Sequence, residues 1–534
     1  MKVRSDISRT YLSLHTWVGI CSGLLLFIGF FAGSLTMFKA PIDRWLSPPA
    51  QQINALDNLA DIDSLVSQFI QQYPDARDGF NLYLNHAENV APISWKKSGP
   101  RSHQLQFDSK RWQASLNEQG ELYTQVIQPS ILAKMIDMLH QTAGIPFVIG
   151  GEYLGVYLMG VAAVLYFLAL VSGLILLLPT LMHNFFAVRQ KKNKKRFWLD
   201  SHNLVGITSF PFHVIISMTV IVFAFHDLFY GGLEAVVYGD ETMFGPRSEN
   251  VAEPYDLKDI LPATQLIKRI EKQVPEFEVQ RLKYQDLETT RASIRASIIS
   301  PDHMARGAVT SYIAINPYTG VIDSSWVPAQ GNNWNGTVTS FFALHFGSYG
   351  GNVIRWVYFF LGLAGAFLFY SGNLLWLESR RKKQIKGEVS VKQARNTRWM
   401  ASATVGISLG SVAGVILAMV AGKWFYAFAD NINYASLNVY YGIFLAAVAW
   451  AFIRGAASAA VHLLYLCALA CLAIPLTTLS SLLWPEHIWA NTSLTTLSVD
   501  FTGLLFALFF FKMATLTTKR ANQGDKDSVW SVKN

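Results

Sequence analysis

The chain has 534 residues, of which 51% are hydrophobic and 15% charged, whereas a soluble protein of this size carries roughly 25% charged residues. Its formal net charge of +8 does not point to nucleic acid. Lys and Arg gather just outside apolar stretches, at Lys2, Arg4 and Arg9, at 189–196, and at 380–386 with Lys392, Arg395 and Arg398, the distribution that orients a membrane protein. The three cysteines, Cys21, Cys467 and Cys471, all lie in apolar segments and give neither a disulfide framework nor a cysteine metal site.

Crossing about 30 Å of hydrocarbon takes roughly 20 helical residues. In chain order the first apolar span is residues 11–38; it is long, holds a histidine near its start and lacks a small-residue cleavage pattern before Pro41, so it is not read as a cleavable signal. The others are 153–179, 203–230, 353–377, 400–421, 439–453, 457–476 and 497–511. The predicted fold is thus a polytopic α-helical membrane protein of about eight transmembrane helices, carrying two inserted α+β domains. Its divisions are helix 1 at 1–39, a polar domain at 40–135, helices 2 and 3 with a basic loop at 136–230, and a second polar domain at 231–340. Helix 4 follows at 341–380, then a linker at 381–399, helices 5 to 8 at 400–516 and a tail at 517–534. With basic clusters inside, both termini are expected in the cytoplasm and both polar domains outside.

The first four spans read as a duplication. Leu14-His15-x-x-x-Gly19-Ile20 returns as Ser201-His202-x-x-x-Gly206-Ile207, and Leu139-His140 followed by Gly150-Gly151 returns as Leu344-His345 followed by Gly350-Gly351. A duplicated pair of helices can pack about a pseudo-two-fold axis and hold cofactors between facing helices. Each polar domain carries helical periodicity, at 61–72 and 262–273, ahead of a hairpin signal. The hairpin turns lie at Asn117–Gly120 and Asn316–Gly320, where Gly supplies positive φ.

Ionisable residues at a membrane are costly and default to functional hypotheses. His15 and His202 occupy equivalent inner positions, and His140 and His345 equivalent outer ones. Imidazole is an axial ligand of haem iron, so the four histidines read as two pairs of haem ligands, one haem per leaflet. The bland alternative is interfacial histidines bonded to headgroups or backbone. His213, eleven residues and about 16 Å along the helix from His202, is a further candidate ligand or proton relay that the repeat does not require. Arg355 is read either as the partner of a haem propionate or as a snorkelling side chain. His226-Asp227 reads as a pair facing water, and His462 lacks a partner motif. Trp95, Lys96, Lys97, Arg101, Lys110 and Arg111, and the loop at 330–335, are candidate surfaces for an anionic chelate, or else a solvated strand edge and a linker.

The four ordered His motifs, the Gly-Gly pairs and Asn316-Pro317-Tyr318-Thr319-Gly320 resemble the PepSY-associated transmembrane family over about residues 8–380. Where that family usually has His-Arg, this chain has Thr16, Gln141, Asn203 and Phe346 after its histidines. Some members are inner-membrane ferric-siderophore reductases of the FoxB type. The resemblance therefore implies PepSY-like periplasmic domains and reduction of a ferric siderophore or other ferric chelate, with release of ferrous iron. The expected protein is a multi-pass component of the bacterial cytoplasmic (inner) membrane with two haem b groups. With no GxGxxG fingerprint or P-loop and no sizeable cytoplasmic domain, the electron donor is expected to be a membrane quinol or a separate protein. The alternatives are a non-enzymatic PepSY-type binding or regulatory protein, and a cytochrome subunit serving another acceptor.

Overall fold

The computed structural model describes residues 4–48, 60–84, 91–96, 104–181, 189, 194–239, 254–323, 333–382 and 391–532. Its helices are α1 (Ser5–Thr36), α2 (Lys39–Leu46), α3 (Ala60–Gln72), α4 (Leu132–Thr142), α5 (Leu154–Leu177), α6 (Lys194–Thr208) and α7 (Phe210–Leu233). They continue as α8 (Ala263–Gln273), α9 (Asn333–Phe346), α10 (Gly351–Ser379), α11 (Arg395–Trp424), α12 (Ile432–Ser480) and α13 (Leu494–Gln523). The strands are β1 (Gly79–Tyr83), β2 (Ile93–Trp95), β3 (Arg111–Leu116), β4 (Leu122–Ile127), β5 (Val148–Ile149), β6 (Glu152–Tyr153), β7 (Glu278–Gln285), β8 (Ser293–Ile299), β9 (Ser311–Ile315) and β10 (Ile322–Asp323).

The chain divides into two units. The first comprises Met1–Leu46, Ser130–Phe225 and Tyr358–Asn534. Hydrocarbon offers no partner for a free N–H or C=O, so a spanning segment must satisfy its own backbone, as a helix does. Among the described residues seven helices are long and apolar enough to cross a membrane. The longest, α12, leaves helical geometry at Gly455 (φ 74°, ψ 158°). Its first limb sets Tyr440 against Gly414 and Ala451 against Gly406 of α11, while on its second limb the Cys467 thiol bonds the Leu409 carbonyl. The two limbs therefore run along α11 in opposite senses. Small residues on α11 permit this approach: a methyl group on Gly406 would lie 2.9 Å from the Val448 backbone.

The span read at 203–230 is two helices. α6 stops at Thr208 and α7 starts at Phe210, with Pro211 in its first turn, where a residue lacking an N–H is tolerated. His202 and His213 consequently sit on different helices. The Gly-Gly pairs are turn residues. Gly150 and Gly151 have φ 62° and 91° in the turn between β5 and β6, and Gly350 and Gly351 have φ 61° and 64° at the entrance to α10. A two-residue hairpin turn of this kind needs positive φ at both central positions.

The second unit comprises Ser47–Pro129 and His226–Val357. The two polar segments share one antiparallel eight-stranded sheet, ordered β10-β9-β8-β7-β1-β2-β3-β4, rather than closing separately. The join is β1 against β7, from Gly79 opposite Gln285 to Tyr83 opposite Arg281, and it removes two edges that would otherwise be open to pairing with other chains. Leu65 and Phe69 of α3 and Leu266 and Ile270 of α8 bury their side chains with Phe80, Leu82, Leu282 and Tyr284 in one core. Truncating such a side chain, as in Phe69→Ala, costs about 3–5 kcal/mol. Both hairpins use one device: the Asn117 carboxamide oxygen accepts from the N–H groups of Gln119 and Glu121, and that of Asn316 from Tyr318 and Thr319. Gly120 and Gly320 follow at φ 75° and 69°.

Candidate functional site

In the first unit the structure brings His15 and His202 together, with ring centroids 6.2 Å apart and planes at 83°. Each ring is seated on the partner helix of its own repeat. His15 Nδ1 lies 2.9 Å from the Ala169 carbonyl and 3.4 Å from Ser172 Oγ on α5. His202 Nδ1 lies 3.0 Å from Ser371 Oγ on α10, with the Leu368 backbone beside it. Carbonyl and serine are three residues apart in both copies. Gly173 and Gly372 complete the two seats: a methyl group there would lie 3.0 Å from His15 Cε1 and 3.5 Å from His202 Cε1. With Nδ1 held against α5 or α10, Nε2 is the nitrogen left for another partner, an arrangement that fixes tautomer and ring direction in metal-bound histidines.

A buried carboxylate braces the second seat. Asp200, 1% exposed, takes both guanidinium contacts of Arg189 at 2.9 and 3.0 Å and that of Arg196 at 3.0 Å. The Arg189 backbone N–H adds a fourth bond at 3.0 Å. Burial pushes the Asp200 carboxyl up, but the Arg189 hydrogen bonds and the two guanidinium charges outweigh it and hold the group below the usual aspartate value. The clamp closes the start of α6 two residues before His202. It was not legible beforehand, because Arg189 read simply as one of a run of orienting charges.

His213 is fully buried on α7, and neither of its ring nitrogens has a hydrogen-bond partner among the described residues. It is ringed by Phe30 at 5.7 Å, Tyr166 at 5.8 Å and Phe212 at 5.4 Å. The Tyr166 hydroxyl is likewise buried and unpaired. His140, on the last turn of α4, places Nδ1 2.8 Å from the Gly29 carbonyl and packs its ring against Gly33 of α1. His345 and Arg355 belong to the second unit. His345 closes α9 with its ring edge-on to Phe346 at 5.1 Å. Arg355 lines an open cleft of about 690 Å³. His226 is half exposed beside Asp227 at 3.1 Å, and His462 accepts from the Trp450 indole at 3.1 Å.

The proposed basic surface is rearranged. Trp95 is buried against Phe69 and Tyr73, so it serves the sheet core and not a ligand. Lys97, Arg101 and residues 330–332 lie outside the described residues. Sequence reading also passed over an ionisable cluster outside the histidine core. Lys423 of α11 is fully buried, donates to the Trp489 carbonyl at 3.1 Å and lies 3.8 Å from the Trp45 ring centre. Asp500 of α13 accepts from the Trp45 indole at 3.0 Å and the Thr478 hydroxyl at 2.8 Å. A lysine and an aspartate inside otherwise apolar helix ends were the available signal.

Two imidazoles bound through Nε2 on opposite sides of one metal atom, with bonds of about 2 Å, hold their ring centres roughly 6 Å apart. The His15–His202 separation and the engaged Nδ1 atoms fit that arrangement. Among the described residues no three His, Cys, Asp or Glu side chains converge as a metal-ion site; were haem bound here, His15 and His202 would be the side chains to hold its iron. No curated protein matches the chain. A family model does: residues 12–379 match that of the PepSY-associated TM region, a stretch that holds both histidine seats and ends before α11. The chain therefore belongs to the PepSY-associated transmembrane family.

Proposed function

We propose that this membrane protein is a haem b electron carrier of the bacterial inner membrane that reduces periplasmic ferric iron, held as a siderophore or similar chelate, and releases it as ferrous iron. The observation that carries the proposal is the His15–His202 pair, seated on corresponding carbonyl, serine and glycine positions by the two copies of the repeat. Haem bound there would supply one-electron chemistry. The chain's own part is to fix two ring nitrogens in place, through Ala169, Ser172, Leu368 and Ser371, and to keep water out with the surrounding helices. Within the same unit, His140, held at Nδ1 by the Gly29 carbonyl, and the buried His213 are further candidate ligands. α12, reversed at Gly455, counts as two crossings, which gives eight. The basic groups at Arg4, Arg9, Arg189, Arg196, Arg380 and Arg398 then share the cytoplasmic side. Both termini lie there, and the sheet lies in the periplasm. The donor is a membrane quinol or a separate protein.

The test is colour. Purified protein should show a reduced-minus-oxidised Soret and α-band, and a pyridine assay should find haem b. Absence of both sinks the proposal. If haem is present, oxidation of the reduced protein by ferric chelate separates a reductase from a cytochrome that serves another acceptor.

A further inference from the structure

The family match ends at residue 379, so α11, α12 and α13 lie beyond it. α12 nevertheless grips α4, the helix that carries His140, at both ends. Ile131 stands at the N-cap of α4 and has no side-chain oxygen to cap it. Lys134 occupies the position from which a glutamate or glutamine reaches back to the N-cap N–H, and an ammonium accepts nothing. Asn433 of α12 supplies the missing acceptor: its carboxamide oxygen takes the Ile131 N–H at 2.9 Å, and both residues are buried. At its other end α4 gives way to left-handed backbone at Ala143 and Gly144, with φ 51° and 79°. There the Gly144 carbonyl accepts from the Tyr441 hydroxyl of α12 at 2.9 Å.

A third tie runs through α2. Lys39 Nζ lies 3.0 Å from Asp137 Oδ2, one turn before His140, but both side chains are about one-third exposed, and a pair so open to water holds little. α2 itself is fixed at Trp45, whose indole donates to Asp500 and Thr478 and carries Lys423 over its ring. The notch that α4 must meet is narrow. His140 Nδ1 lies 2.8 Å from the Gly29 carbonyl, and a methyl group on Gly33 would stand 2.6 Å from the same nitrogen. Asn433 and Tyr441 are about 12 Å apart along one helical limb, so together they fix the tilt of α4 as well as its position. Removing one partner of a buried backbone bond leaves the other stranded, which makes these two ties the decisive ones.

We propose that α11, α12 and α13 act as a splint for α4, with Asn433 and Tyr441 as positioning residues that hold the His140 ring in the Gly29–Gly33 notch. The inference rests on the reading of His140 as a ligand for the use made of the fixed ring, not for the fixing itself. It gives helices beyond the family match a part in the histidine core that lies within it.

Diethyl pyrocarbonate acylates imidazole nitrogen, so its rate at each histidine, read by mass spectrometry, reports how firmly that ring is held. Labelling is run on the full-length protein, and again after any haem has been extracted, so that a ligated nitrogen cannot pass for a buried one. In the double variant N433A/Y441F, His140 should label about tenfold faster than in wild type, as local opening of α4 becomes easier. His15, in the same unit but seated on α5, should keep its wild-type rate. Tyr441→Phe alone, which preserves the ring, should speed His140 about threefold. Asn433→Asp, which keeps an acceptor oxygen for the helix end, should stay within about twofold of wild type. An unchanged His140 rate in the double variant overturns the splint, and so does equal acceleration of His15, which would mean general loosening. Asn433→Asp labelling as fast as Asn433→Ala removes Asn433 from the role. If the double variant does not fold, Tyr441→Phe decides alone, and an unchanged rate there is fatal. The labelling pattern in haem-extracted protein is independent of the haem spectrum, on which the reductase reading stands or falls separately.

Discussion

The two copies of the repeat agree at one level of the first unit and part company at others. At the inner histidines they are nearly superposable in chemistry: ring, carbonyl, serine and glycine recur as His15, Ala169, Ser172 and Gly173, and as His202, Leu368, Ser371 and Gly372. Align His15 on His202 and Ser13 falls opposite Asp200, while Leu26 falls opposite His213. The second copy has thus acquired a carboxylate clamp and a buried imidazole that the first lacks. What both copies keep is what a shared ligand needs from each. What only one keeps is specific to its own helices.

The largest expected effect tests the shared level. His15→Ala and His202→Ala should each abolish the same haem, leaving identical spectra and one haem fewer by pyridine assay. Two different residual spectra would mean that the copies serve separate sites and that the 6.2 Å pairing is packing alone.

Asp200 tests the divergence. Removing one partner from a buried charge cluster costs about 3–5 kcal/mol, so Asp200→Asn should lower stability by about 3 kcal/mol, while Ser13→Ala, its counterpart, should change it little. The sign with pH follows from the depressed folded-state value. The clamp's contribution is complete above the carboxyl's value in the unfolded chain, about 3.9. It is lost as pH falls through the lower, folded value. Thermal melts stepped down from about pH 6 should therefore lose a component in wild type that Asp200→Asn never had. Parallel curves for the two proteins would remove the clamp from the account.

The glycine seats differ by less. At Gly173 an added methyl group meets His15 at 3.0 Å, and at Gly372 it meets His202 at 3.5 Å, an ordinary contact. Overpacking costs about 1–3 kcal/mol, so Gly173→Ala should destabilise by about 1 kcal/mol and shift the haem spectrum, and Gly372→Ala should do neither. Equal effects would show that the two seats are not distinguished by this half ångström.

How much of this was readable in the chain depends on the range of the interaction. The long apolar helices, both hairpins and the break at Gly455 follow from local hydropathy and turn residues, whereas the division of 203–230 between α6 and α7 was missed. The histidine repeat was visible because its spacing recurs. The β1–β7 join was not, since it links strands about 200 residues apart and either hairpin reads as complete alone. The Gly-Gly pairs were visible but their reason was not. Glycine is enriched both where helices approach and where φ is positive, and only the observed angles at Gly150 and Gly351 choose between the two. Lys423 and Asp500 escaped because they lie far apart in the chain, on α11 and α13, and they gain meaning only where Trp45 bridges them.

His213 carries the smallest effect and the sharpest choice. A buried imidazole with both nitrogens unpaired costs the folded protein about 1–3 kcal/mol of desolvation. Leucine, the residue at the aligned position of the first copy, has no polar group to strand. In protein stripped of haem, His213→Leu should therefore stabilise by about 1 kcal/mol. In haem-loaded protein the same substitution should destabilise, because a bound group that meets one of those nitrogens turns the stranded atom into a ligand or hydrogen-bond partner. Melting curves of both forms read the sign directly. Opposite signs make His213 part of the electron path and the repeat's asymmetry functional. A gain in both forms makes His213 an unpaired histidine of the packing, and leaves the proposed haem site to the histidines that both copies share.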